Sequence, residues 1–121
     1  MNDNQLLAIS EELVDAIKES FPSHAEFNFW VDHLRDACII RICWKLNNDK
    51  DRPNKFSRII LIVISREAIE DSDYKNRKQL VLEKFKSFIQ ENYKSFIPNH
   101  DAPRYQSPPT EEWLLDNKGL N

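Results

Sequence analysis

Five side chains supply the soft ligands and nucleophiles of this chain: His24, His33, Cys38, Cys43 and His100. Zinc sites favour close pairs such as Cys-x2-Cys or His-x3-His, and no two of these residues have that spacing. Cys38 and Cys43 fall in one predicted strand at an odd separation, so they face opposite sides. They would lie about 16 Å apart at ~3.3 Å per residue, beyond disulfide reach. Two free thiols fit a reducing compartment. Cys43 with His24 or His33 as its base is the one nucleophilic arrangement the composition offers, and no local motif organises it. The single glycine, Gly119, excludes more. A P-loop, a dinucleotide fingerprint and a nucleophile elbow all need glycines at fixed turns. The residues therefore predict a non-enzymatic protein with no metal site and no cofactor.

The elements that would position these residues follow from periodicity. Residues 3–20 predict an amphipathic helix with Leu6, Ile9, Leu13 and Ile17 at helical spacing. Asp3 or Asn4 is its expected cap, and Pro22 its stop. Residues 25–31 alternate, with Phe27, Phe29 and Val31 on one face and Trp30 on the other. Residues 37–46 predict a second strand, with Ile39, Arg41, Cys43 and Lys45 opposite Cys38, Ile40, Ile42 and Trp44. A third strand over 56–65 contains six consecutive aliphatic residues, Ile59 to Ile64. It is apolar on both faces and needs cover above and below. Ser65 caps a short helical turn, and a long helix follows to about Phe96 with the stripe Leu82, Phe85, Ile89, Tyr93 and Phe96. Four of the six prolines lie between Pro98 and Pro109, which predicts an extended strap ending in the apolar anchor Trp113-Leu114-Leu115.

The expected fold is α+β in two layers, α-β-β-β-α. A three-stranded antiparallel meander carries two helices on one face. Residues 1–97 form the domain and residues 98–121 a proline-rich strap packed on it. In a meander the third strand is an edge, yet it is the most apolar strand, whereas proteins normally blunt edges with charge or proline. Three arrangements resolve that conflict. The strap folds back and extends or covers the sheet, with Trp30 and Trp113 meeting on the second face; another copy pairs there; or a partner protein docks there.

The 121 residues carry a net charge of −3, without global attraction to nucleic acid or anionic lipid. The distribution is uneven. Residues 37–65 carry six basic and two acidic side chains, as do residues 74–100, while the first 36 carry eight acidic and two basic. With Lys75, Asn76, Arg77 and Lys78 at the start of the second long helix and His33 in the first strand loop, the order of elements resembles the double-stranded RNA-binding fold. That resemblance, of topology alone, implies duplex contact through the first helix, a strand loop and the basic helix start. The chain departs from the family in lacking the Gly-Pro of its loop, in placing Leu80, Val81, Leu82, Phe85 and Phe88 where that family has alanines, and in the acidity of its first helix.

The sequence thus predicts a small binding or accessory protein acting through the second sheet face and third-strand edge. Its interface residues are Trp30, Ile39, Arg41, Ile59, Leu61, Val63 and Trp113, and its partner is another protein or a second copy of itself. The alternative is a nucleic-acid binder using Lys50, Arg52, Lys55, Lys75, Arg77 and Lys78. No stretch approaches the roughly 20 apolar residues that cross a bilayer, and Met1-Asn2-Asp3-Asn4 has no basic leader. A cytoplasmic location without membrane contact is expected.

Overall fold

A computed structural model of the chain describes residues 1–47, 51, 52 and 54–121. Asn2 starts the first helix, α1 (Asp3–Ile17). Its side chain accepts from the Gln5 amide at 2.8 Å, and the Gln5 side chain accepts the Asn2 amide at 2.9 Å. This reciprocal box satisfies two otherwise orphaned donors and puts the cap at Asn2, ahead of the expected Asp3 or Asn4. A 3₁₀ turn, Lys18–Ser20, ends the helix before extended Phe21 and Pro22. Ser65 caps α2 (Arg66–Asp71) by accepting from the Ala68 amide at 3.0 Å. Asp73, at φ 53°, turns the chain into α3 (Tyr74–Tyr93); aspartate is among the few residues that tolerate this left-handed region. Val81, rather than Leu82, joins Phe85 and Ile89 as the buried stripe of α3.

Three strands, β1 (Glu26–Asp32), β2 (Ala37–Cys43) and β3 (Ile59–Ser65), pair antiparallel in sequence order. The expectation of a three-stranded antiparallel sheet is corrected at the next step. Residues Thr110–Leu115 form a fourth strand, β4, parallel to β3, so the sheet is mixed and its order is β1-β2-β3-β4. Helix α2 is the short helical turn expected after Ser65. Parallel neighbours need a long crossover, and α2, α3 and the strap supply it. The strap is tied to the start of β3 first, where the Pro98 carbonyl accepts from Arg58 N–H and the Pro109 carbonyl from Ile59 N–H, each at 2.8 Å. Strand β3 is therefore an interior strand, as its composition demands, and the edges fall to β1 and β4.

Alternation sorts the sheet cleanly. Cys38, Ile40, Ile42, Ile60, Ile62, Ile64, Trp113 and Leu115 face the helices and form one core with Leu6, Leu13, Ile17, Val81, Phe85 and Ile89. At one end an aromatic cluster closes this core: Trp44 stacks on Tyr93 with centroids 6.4 Å apart, and Phe96 meets Trp113 edge-on at 5.9 Å. Trp113 is 3% exposed, and its indole N–H meets no acceptor among the described residues. Replacing Trp113 by Ala should cost about 3–5 kcal/mol in denaturant unfolding, the range for emptying a large aromatic site. Trp113→Phe should cost distinctly less, since it keeps a ring and removes an unsatisfied donor, which is itself a burden of about 1–3 kcal/mol.

Candidate functional site

The second face of the sheet, away from the helices, is built by the other half of each alternation. The pairing register aligns Trp30 with Ile39, Ile39 with Val63 and Val63 with Leu114. These four residues make an apolar row across all four strands, perpendicular to the chain direction. Its middle is closed and its ends are open: Ile39 and Val63 are 2% and 8% exposed, Trp30 and Leu114 40% and 63%. Ala37, Ile39 and Val63, with Leu61 against them, form a second small cluster separate from the main core. The row beneath it, Asn28, Arg41, Leu61 and Glu112, is polar at three of four positions.

One long side chain reaches this face. Arg35, in the turn between β1 and β2, donates to both carboxylate oxygens of Glu112 on β4, at 2.6 and 3.3 Å. The pair ties the β1–β2 turn to β4. The fork geometry is the strong form of this interaction. It holds the Glu112 carboxyl below the usual carboxylate range and raises the Arg35 guanidinium.

Trp30, Ile39, Arg41, Leu61 and Val63 all lie on the second face. Trp113 does not. Parity places it on the helix side, where it packs on Phe96, so Trp30 and Trp113 are separated by the sheet and cannot close the second face together. Ile59 sits beneath the strap with its amide bonded to Pro109, and the edge of β3 is filled by β4. The place of Leu114 on the second face and the Arg35–Glu112 pair are not among the expected site features. The signal was present, because Glu112 and Leu114 alternate with Trp113 and Leu115 at the strand period, but the prolines before them read as a strap.

The two expected basic groups lie at opposite ends of the molecule. Lys75, Arg77 and Lys78 begin α3, beyond the end of β3, where Lys78 pairs with Glu12 at 2.7 Å and Arg77 donates to the Ser72 carbonyl at 3.2 Å. Acidic neighbours crowd this end: Asp3 contacts Arg66 at 2.8 Å and His33 at 3.3 Å, and Asp36 contacts Arg66 at 2.8 Å. Arg52 and Lys55 lie before β3 and turn inward. Arg52 donates to the Ala102 carbonyl at 2.6 Å, and the buried Lys55 donates to the His100 carbonyl. Lys50 lies outside the described residues.

The thiols occupy different environments on opposite faces. Cys38 is enclosed by the helices against Ser10, whose hydroxyl proton goes to the Leu6 carbonyl at 2.8 Å, leaving the thiol as donor to the Ser10 oxygen. Burial pushes the Cys38 thiol up to about 11. Burial also raises Cys43, with the Arg41 charge opposing it and Glu26 reinforcing it. His24 bonds the Lys45 carbonyl at 2.9 Å, and His33 faces Asp3, so neither imidazole is placed as a base for Cys43. Among the described residues no three His, Cys, Asp or Glu side chains gather as a metal group, and no helix is long and apolar enough to cross a membrane. Compared with protein-family models, curated proteins and solved structures, the chain finds no match.

Two outcomes follow. With iodoacetamide at neutral pH, Cys43 should be modified before Cys38, and Cys38 only at the rate of global unfolding; the fast phase should vanish in Cys43→Ser. Acid should act through the carboxylates. Glu12 is held low by Lys78 and then by Tyr74, and Glu112 by Arg35. A carboxylate depressed in the folded state stabilises it above the unfolded value of about 4.3, and that stability is lost as pH falls through the folded value. The denaturant midpoint should therefore fall between about pH 5 and about pH 3, with a shallower slope in Glu112→Gln.

Proposed function

We propose that this chain is a non-enzymatic binding protein that engages another protein through the second face of its sheet. One observation carries the reading. The apolar row Trp30–Ile39–Val63–Leu114 lies on the face that carries no helix, and both of its ends are exposed. Tryptophan with a wet edge is a frequent contact anchor. The edge of β3 has no part in this contact, because β4 occupies it.

Size decides the kind of contact. Strands of seven residues at ~3.3 Å, spaced ~4.8 Å apart in a set of four, give a face of roughly 20 by 14 Å, or roughly 300 Å². Two such faces together bury roughly 600 Å², well under the about 1,200–2,000 Å² of a stable interface. A lasting homodimer through this face alone is therefore undersized. The better occupant is a different protein that lays an apolar ridge, such as one side of an amphipathic helix, along the row and releases it readily.

The nucleic-acid alternative rests on Lys75, Arg77 and Lys78 at one end and on Arg52 and Lys55 at the other. It is the weaker reading because the first group has acidic neighbours and the second bonds the strap. Its test is a gel shift at low salt, where phosphate contacts are strongest; a retarded band abolished by K75Q/K78Q would restore it.

The main test places a photo-crosslinking residue at position 30 or 114, with Gln79 on the exposed side of α3 as control. Adducts of one defined mass at 30 and 114 but not at 79 are expected, with light scattering of the free protein near 14.4 kDa. Equal labelling at all three positions, or none, would overturn the reading. An adduct of twice the chain mass would identify the occupant as a second copy.

A further inference from the structure

Strand β1 forms one free edge of the sheet, and backbone parity fixes what that edge presents. The Arg66 amide donates to the Asp36 carbonyl at 2.9 Å, one position beyond the pair Ala37–Ser65, so this pair is a bonded one. Bonded positions alternate along an antiparallel ladder. Cys38, Ile40 and Ile42 therefore aim their amides at β3, and Ile39 and Arg41 aim theirs at β1. Their register partners there are Trp30 and Asn28. Phe27, Phe29 and Val31 consequently turn their N–H and C=O groups outward, and nothing among the described residues bonds them.

Edges are normally blunted by lysine, proline, a bulge or a covering segment. Strand β1 has neither lysine nor proline, pairs with β2 along its whole length without a bulge, and has no buried residue. The other edge, β4, is entered through Pro108 and Pro109, and its Glu112 is neutralised by Arg35. At the two ends of β1 stand Glu26 and Asp32, and neither forms an ion pair among the described residues. The surroundings are acidic too. Helix α1, which packs against β1, holds four acidic and no basic side chains. These charges make a second copy the wrong occupant. Pairing all of β1 with itself across a twofold at Phe29 sets Glu26 against Asp32 at both ends, and like charges directly opposite destabilise a ladder.

We propose that the β1 edge binds an extended segment of another protein by strand addition, and that this segment carries a basic residue at each end of an apolar stretch. The outward amides and carbonyls of Phe27, Phe29 and Val31 supply the main-chain hydrogen bonds. Glu26 and Asp32 receive the two cations. The side chain set opposite Trp30 lies along its indole, which is 40% exposed. This contact goes beyond the second-face reading. It is made by the backbone of β1, shares only Trp30 with the apolar row, and takes an extended partner where the face takes a ridge. Its failure leaves the face reading standing.

The probe is the capped peptide Lys-Val-Leu-Ile-Thr-Val-Lys, titrated into the isotope-labelled full chain at low salt and followed by amide NMR. Saturable shifts in β1 are expected. The amides of Phe27, Phe29 and Val31 should exchange fast in the free protein and slowly at saturation, while Asn28 and Trp30, already bonded to β2, stay protected throughout. Methylating one alternate set of peptide nitrogens should abolish binding and methylating the other should preserve it, because only one set faces β1. Glu26→Gln and Asp32→Asn should each weaken binding about 2- to 5-fold, the worth of an exposed ion pair, and the loss should shrink at high salt. Asparagine keeps the acceptor that the Leu34 and Arg35 amides use at position 32. Glu83→Gln, exposed on α3, should change nothing. No saturation at millimolar peptide, protection that does not alternate along β1, or equal binding of a peptide with glutamate at both ends would overturn the proposal. A mass of twice 14.4 kDa by light scattering, with the same three amides protected in the absence of peptide, would overturn it in favour of a second copy.

Discussion

A strand that is apolar on both faces cannot remain at the edge of a sheet, and the rest of this structure depends on how that constraint is met. Strand β3 presents Ile60, Ile62 and Ile64 to the helices and Ile59, Leu61 and Val63 to the other side. A bare edge beside such a surface would invite pairing with other chains. The chain answers with its own C-terminal segment. Strand β4 completes the ladder in parallel, and Trp113 and Leu115 enter the main core on the same side as the isoleucines they accompany.

Docking β4 has consequences at both ends of the strap. It brings Glu112 within reach of Arg35. It also sets Leu114 beside Val63, which lengthens the apolar row to four strands. At the entry to β4, residues 98–109 pass over the loop before β3, and their carbonyls gather Arg52 and Lys55 into a roofed cavity. The open face and the charged cavity are thus products of one event, the return of the C-terminus to β3. They lie on the same side of the sheet, and Arg41 belongs to both.

Much of the fold was legible. The helices, the first three strands, their antiparallel pairing and the inward and outward parity of Cys38 and Cys43 follow from local periodicity and short connections. What escaped was long-range. A proline-rich approach carries no strand register, and one residue of slip reverses every side chain of a strand, so the side that Trp113 enters is not written in its local sequence. The polar sequence neighbours of Lys55 point to a surface cation, yet the residue is buried and donates to the His100 carbonyl, 45 positions away.

The sequence by itself determined that β3 must be covered on both sides and along its edge, because six successive aliphatic residues admit no other stable state in water. It also ruled out the glycine-built nucleotide sites, since the only glycine lies in the C-terminal tail. Tertiary structure alone decided what does the covering, in which direction it runs and which side Trp113 enters. Those choices are set by the crossover through α2 and α3, which delivers the C-terminal segment to the start of β3 and so makes the pairing parallel. They rest on contacts between residues far apart in the chain, whose geometry no local pattern encodes.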